Sequence, residues 1–197
     1  MTQLDRSVKV LLLIALIGSV LTALPVLPAF GEGGARRDVV RHAAEASGAE
    51  QAAPLSLAKN ATIMSRDGRI VRKGSNGWIC LPDNPDTKGT DSICMDEPWN
   101  NFLEALKNKS KPTITQVGIA YMLQGDRPVS NTDPYATEPR PGDDWVEGLG
   151  AHVMIILPDT KALGKLSTDS KNGGPWVMWH GTPFAHIMVP IDSYPPR

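Results

Sequence analysis

Two apolar runs, Trp176 to His180 and Phe184 to Pro190, flank a Gly181-Thr182-Pro183 break. Both are rich in aromatic and β-branched residues and bounded by Gly and Pro, which predicts an antiparallel hairpin. Side chains alternate between the faces of a strand. Trp176, Met178 and His180 therefore share one face of the first strand, and Phe184, His186 and Met188 one face of the second. With a three-residue loop, His180 stands opposite Phe184, Met178 opposite His186, and Trp176 opposite Met188, all on one side. A loop one residue longer would move one set to the other side. A face carrying His and Met beside aromatics is an unusual mixture for a core.

The same spacing recurs. His152/Met154, Met178/His180 and His186/Met188 each place an imidazole and a thioether two residues apart. Random placement of the chain's 4 His and 7 Met gives about 0.3 such pairs. Neutral imidazole suits several transition metals, and thioether selects Cu(I). These six residues are therefore candidate ligands of a soft metal, with copper the favoured ion.

The N-terminus decides the compartment. Arg6 and Lys9 precede an apolar run from Val10 to Leu24, and Ala29-Phe30-Gly31 supplies small residues for cleavage. This pattern predicts a secretory signal peptide over residues 1–31. The run is at the short end for spanning a bilayer, so the mature chain is expected to keep no stable membrane anchor and to be periplasmic or secreted. Export gives the two cysteines, Cys80 and Cys94, an oxidising environment, and they are expected to pair. The formal charge of −1 offers no electrostatic case for nucleic acid or an anionic membrane surface.

Residues 32–58, rich in Ala and Gly, read as a mobile lead-in, with a short helix over Asp38–Ala46 and His42 as a solvated side chain. Residues 59–197 read as one globular domain. Asp67-Gly68 between two alternating runs signals a hairpin within Ala61–Lys73. Trp78–Leu81 reads as a short strand. Asp96–Lys109 reads as a helix capped by Asp96 or Glu97, with Pro98 in the first turn and Trp99, Phe102, Leu103 and Leu106 on one face. Thr113–Leu123 and Ala151–Leu157 read as strands, and Pro158–Leu166 as one or two helical turns. The Pro-rich stretch 124–150 is a long polar loop, a class usually functional or disordered; Tyr135 and Trp145 argue that it folds back on the body. The expected fold is α+β: a mostly antiparallel sheet, one main amphipathic helix and long loops.

Asn76-Gly77-Trp78, Cys80, Pro82, Ala120–Leu123, Ser130-Asn131, Asp133-Pro134, His152–Ile155, Pro158-Asp159 and the segments within 173–190 together resemble a family of exported bacterial proteins without an assigned function. The resemblance spans the chain from about Ala61 onwards. It implies no activity, cofactor or catalytic residue. Members of that family often carry Lys where this chain has His180, which places His152 and His186 ahead of His180 as ligands.

Two other chemistries compete with metal binding. A hydrolase would use His152 or His186 as base, Asp144, Asp159 or Glu147 to orient it, and a nucleophile such as Ser130 or Ser167. No Gly-x-Ser-x-Gly or His-Glu-x-x-His pattern supports it. A non-enzymatic binding or structural module of the cell envelope would line a small-ligand pocket with Trp145, Trp176 and Trp179. In the plainest reading Met and His simply fill an irregular sheet face.

Overall fold

The computed structural model describes Arg41, Ala44 and residues 46–191. The expected signal peptide, His42, most of the helix expected over Asp38–Ala46, and the end of the Pro-rich tail lie outside these residues. Among the described residues no helix is long and apolar enough to cross a membrane.

The fold is strand-rich, with few helices around a large, mostly antiparallel sheet. In chain order its elements are helix α1 (Leu55–Ala58), strands β1 (Thr62–Met64), β2 (Ile70–Arg72), β3 (Ile79–Leu81) and β4 (Ile93–Met95), helix α2 (Glu97–Lys107), then β5 (Gly118–Met122), β6 (Val129–Ser130), β7 (Trp145–Val146), β8 (His152–Ile156), a 3-10 turn (Thr160–Lys165), β9 (Trp176–Met178) and β10 (His186–Pro190). Eight strands form one sheet in the order β2-β1-β3-β4-β5-β8-β10-β9, and β6 and β7 pair apart from it. β1 runs parallel to β3; the other ladders are antiparallel.

Local chemistry explains several elements. Asp67 and Gly68 make the β1–β2 turn, with the Gly68 amide donating to the Ser65 carbonyl at 2.9 Å. Cys80 and Cys94 face each other on β3 and β4 and form a disulfide, which closes the base of the turn-rich 82–92 loop. Asp96 caps α2. Its Oδ1 accepts from the Trp99 amide at 3.0 Å, and its Oδ2 accepts from the Ile119 amide at 2.8 Å, so one carboxylate starts the helix and pins it to β5. Glu97 lies in the first turn of α2 and Lys107 in the last, each favourable to the helix dipole. A Cβ on Gly118 would stand 2.7 Å from the Ile156 side chain and 3.0 Å from Pro98; glycine there lets helix and sheet close together.

The two faces of the sheet have different cores. On one face Trp99 and Phe102 of α2 pack over Met95, Ala120, Met122, Met154, Ile156, Trp176, Met178 and Met188. On the other, Ala49, Ala52, Ala53 and Ala58 pack on Ile63 and the disulfide. These alanines come from the segment expected as a lead-in. Residues 46–58 belong to the packed domain, because alanines bury completely in a narrow space and the Ala52 carbonyl accepts from the Leu123 amide at 3.0 Å. Near the β9 edge the sheet is covered on this second face too, by Leu163 of the 3-10 turn over Val177 and Ala185.

Candidate functional site

The hairpin register matches the sequence reading where the strands persist: His186 pairs with Met178, and Met188 with Trp176. The first strand stops at Met178. Trp179 adopts a left-handed φ of 56°. Its amide donates to the Asn131 carbonyl at 2.7 Å, and its indole N–H donates to the Ser130 carbonyl at 2.9 Å, which holds that conformation. The kink turns His180 out to solvent. His180 does not join the His/Met face, and β10 starts at His186 rather than Phe184.

The remaining five candidates occupy one sheet face, the face on which α2 packs. Met122, His152 and Pro190 form one cross-strand row; Ala120, Met154, Met188 and Trp176 form the next. His186 and Met178 form a third row. Met122 was missed from sequence because only the β5–β8 register places it directly opposite His152. Four residues along and one strand across put the Cα atoms of His152 and His186 about 14 Å apart, with Met154 and Met188 between them. The two imidazoles thus stand at opposite ends of a thioether stripe rather than side by side.

Each imidazole is held in the same way. His152 is 1% exposed and pairs Nδ1 with the Gly150 carbonyl at 2.7 Å. His186 is 1% exposed and pairs Nδ1 with the Phe184 carbonyl at 2.9 Å. A carbonyl only accepts, so Nδ1 carries the proton in both rings and Nε2 presents its lone pair. Burial lowers both pKa values, that of His186 to about 4, with His152 adding to the effect. Both rings are neutral at pH 7. Their surroundings differ. His186 is boxed by the rings of Trp179 at 4.9 Å, Trp99 at 5.3 Å and Phe102 at 5.9 Å. The Nε2 of His152 is buried with no hydrogen-bond partner among the described residues.

A cavity of about 160 Å³ runs beside the stripe between α2 and the sheet. Met122, Met154, Met178 and His186 line it, and Arg66, Asp91, Asp126 and Arg127 line its charged side. Arg66 donates to Oδ1 of Asp91 at 2.6 Å. Burial raises the Asp126 carboxyl to about 7, against smaller opposing effects of the Arg127 amide, Arg127 and Arg66. Among the described residues no three His, Cys, Asp or Glu side chains form a metal cluster, so any metal held here would rest on thioethers and a single imidazole.

The hydrolase constellation does not assemble. Among the described residues neither imidazole bonds to a carboxylate or hydroxyl. Asp144 accepts from Asn131, Ser130 donates to Asp143, and Asp159 caps the 3-10 turn. The tryptophans part company as well. Trp176 and Trp179 are buried and bonded through their indole nitrogens to the Ser130-Asn131 segment, whereas Trp145 is half-buried on β7 at the rim of a different cleft. No family model, no curated protein and no solved structure matches this chain.

Proposed function

We propose that this is an exported protein, related to the bacterial family it resembles, that binds Cu(I) on the His/Met face of an α+β domain whose main amphipathic helix is α2. The core of the proposed site is Nε2 of His152 with the thioethers of Met122 and Met154; Met188, Met178 and His186 continue the stripe. One observation carries the reading. Among the described residues Nε2 of His152 is a buried acceptor with no donor, and leaving such a group unpaired costs about 1–3 kcal/mol. A bound ion accounts for that orphan. Cu(I) is the ion that its neighbours select, because they are thioethers and no cluster of carboxylates stands with them among the described residues to favour a hard cation. The Gly150 carbonyl supplies the outer-shell contact that orients a ligating imidazole. The signal-like N-terminus and the disulfide support export to an oxidising compartment.

The test is an anaerobic Cu(I) titration of the disulfide-intact chain against a chromophoric chelator. Stoichiometric binding that is lost in His152→Ala and weakened in Met154→Leu and Met122→Leu supports the site. Met→Leu nearly conserves volume, so these variants stay folded. Binding no tighter than that of His152→Ala sinks it.

A further inference from the structure

The 124–150 stretch, expected as a long loop, forms the short β6–β7 ribbon, with Ser130 opposite Trp145. It lies against the 82–92 loop, whose base is stapled by the disulfide. Between the two is an open cleft of about 420 Å³, lined by Asp86, Lys88, Arg127, Thr137, Trp145 and Glu147 among others, within the ~300–1,000 Å³ usual for small-molecule sites. None of the proposed copper ligands lines Trp145's cleft, and Arg127 is the residue it shares with the cavity beside the stripe.

The walls are held from behind. Oγ1 of Thr90 donates to the Gln124 carbonyl at 2.7 Å, joining the two loops. The Asp91 carboxylate accepts from the Asn84 amide at 2.8 Å and from Arg66 at 2.6 Å. A Cβ on Gly89 would meet Cα of Arg127 at 3.4 Å. Gly89 also adopts a φ of +88° that L side chains rarely take, so glycine suits the loop where it closes on Arg127. Asp143 binds Ser130 and Thr132 under the ribbon. Thr87 of the lining also bonds inward, its hydroxyl donating to the Asn84 carbonyl at 2.9 Å; the charged lining side chains and Trp145 by contrast make no such bond. Among the described residues Asp86, Lys88, Arg127 and Glu147 place no charged atom in an internal hydrogen bond or ion pair, and the Trp145 indole N–H has no acceptor.

We propose that this cleft binds a neutral saccharide, one pyranose ring stacked on Trp145 and its hydroxyls shared between the cations Lys88 and Arg127 and the carboxylates Asp86 and Glu147. The charge balance argues for a neutral ligand, since two cations face two anions. The open, polar surroundings argue against an apolar one. Each sugar hydroxyl both donates and accepts, so donor-only Lys and Arg and acceptor-only Asp and Glu are both satisfied by a run of hydroxyls. The apolar C–H face of the ring matches the flat indole, a rigid platform that loses little entropy on binding.

The experiment titrates the oxidised chain with cellobiose, maltose and chitobiose, followed by tryptophan fluorescence and saturation-transfer NMR, with glycylglycine as the zwitterionic control. Saturable binding of at least one disaccharide, weakened more than tenfold in Trp145→Ala and in the solvent-facing Glu147→Gln, supports the proposal. Glu147 makes no internal side-chain bond among the described residues, so that variant leaves folding unaltered and separates ligand loss from misfolding. Three results overturn the idea: no disaccharide saturating at millimolar concentration, affinity unchanged in Glu147→Gln, or glycylglycine binding where the sugars do not.

Discussion

Replacing His186 with Leu in copper-free protein is expected to remove a defined part of the pH dependence of stability. The ring titrates near 6.5 when unfolded and near 4 in its aromatic box. That difference is worth about 3 kcal/mol at 1.36 kcal/mol per pH unit. Proton uptake sets the sign. Between pH 6.5 and 4 the unfolded chain binds a proton at His186 that the folded chain does not, so acidification favours unfolding. The contribution is full above pH 6.5 and is lost as pH falls towards 4. Asp126 works in the opposite direction. Its folded carboxyl titrates near 7, so it takes a proton before the unfolded chain does and adds stability as pH falls below 7. The wild-type curve alone is therefore flattened. The difference between wild type and His186→Leu cancels Asp126 and leaves the titration of His186 with its smaller coupling to His152. Urea unfolding of both proteins at steps from about pH 7.5 to 4 should show wild type losing about 3 kcal/mol relative to the variant, on the order of 6–12 °C in Tm for a domain of this size. A difference curve flat across that range would refute the buried neutral imidazole.

Three further outcomes follow from the packing. Cys80→Ala/Cys94→Ala should destabilise by about 3 kcal/mol, the loop-closure value for a separation of 14 residues, read as a lower urea midpoint. Asp96→Ala removes both the α2 cap and the tie to Ile119, and should cost about 2 kcal/mol with reduced helicity by circular dichroism. Gly118→Ala forces a Cβ against Ile156 and Pro98, and should cost about 1–3 kcal/mol, with exchange protection falling first in α2.

What was legible in the sequence is what local chemistry determines. The Asp67-Gly68 turn, the Asp96 cap with its following apolar face, and the pairing of His186 with Met178 all follow from period and turn residues. What was missed is set by distant partners. The end of β9 is fixed by Ser130 and Asn131, nearly fifty residues away in the chain, so no window around Trp179 reveals the kink that removes His180 from the face. β4 has only three residues and gains its identity from pairing with β3 and β5. Residues 46–58 read as a lead-in because alanine carries little hydrophobic signal, yet alanine is what lets that segment lie close on the disulfide. Met122 becomes a candidate ligand through the β5–β8 register alone.

The copper reading rests on the buried nitrogen of His152, unpartnered among the described residues, and its thioether neighbours. X-ray absorption at the copper edge of the Cu(I)-loaded chain reports that coordination shell itself. A first shell containing both sulfur and one imidazole nitrogen is predicted, with the nitrogen scattering lost in His152→Ala and retained in His180→Ala. A first shell without sulfur, or one unchanged in His152→Ala, would show that copper is not held on this face.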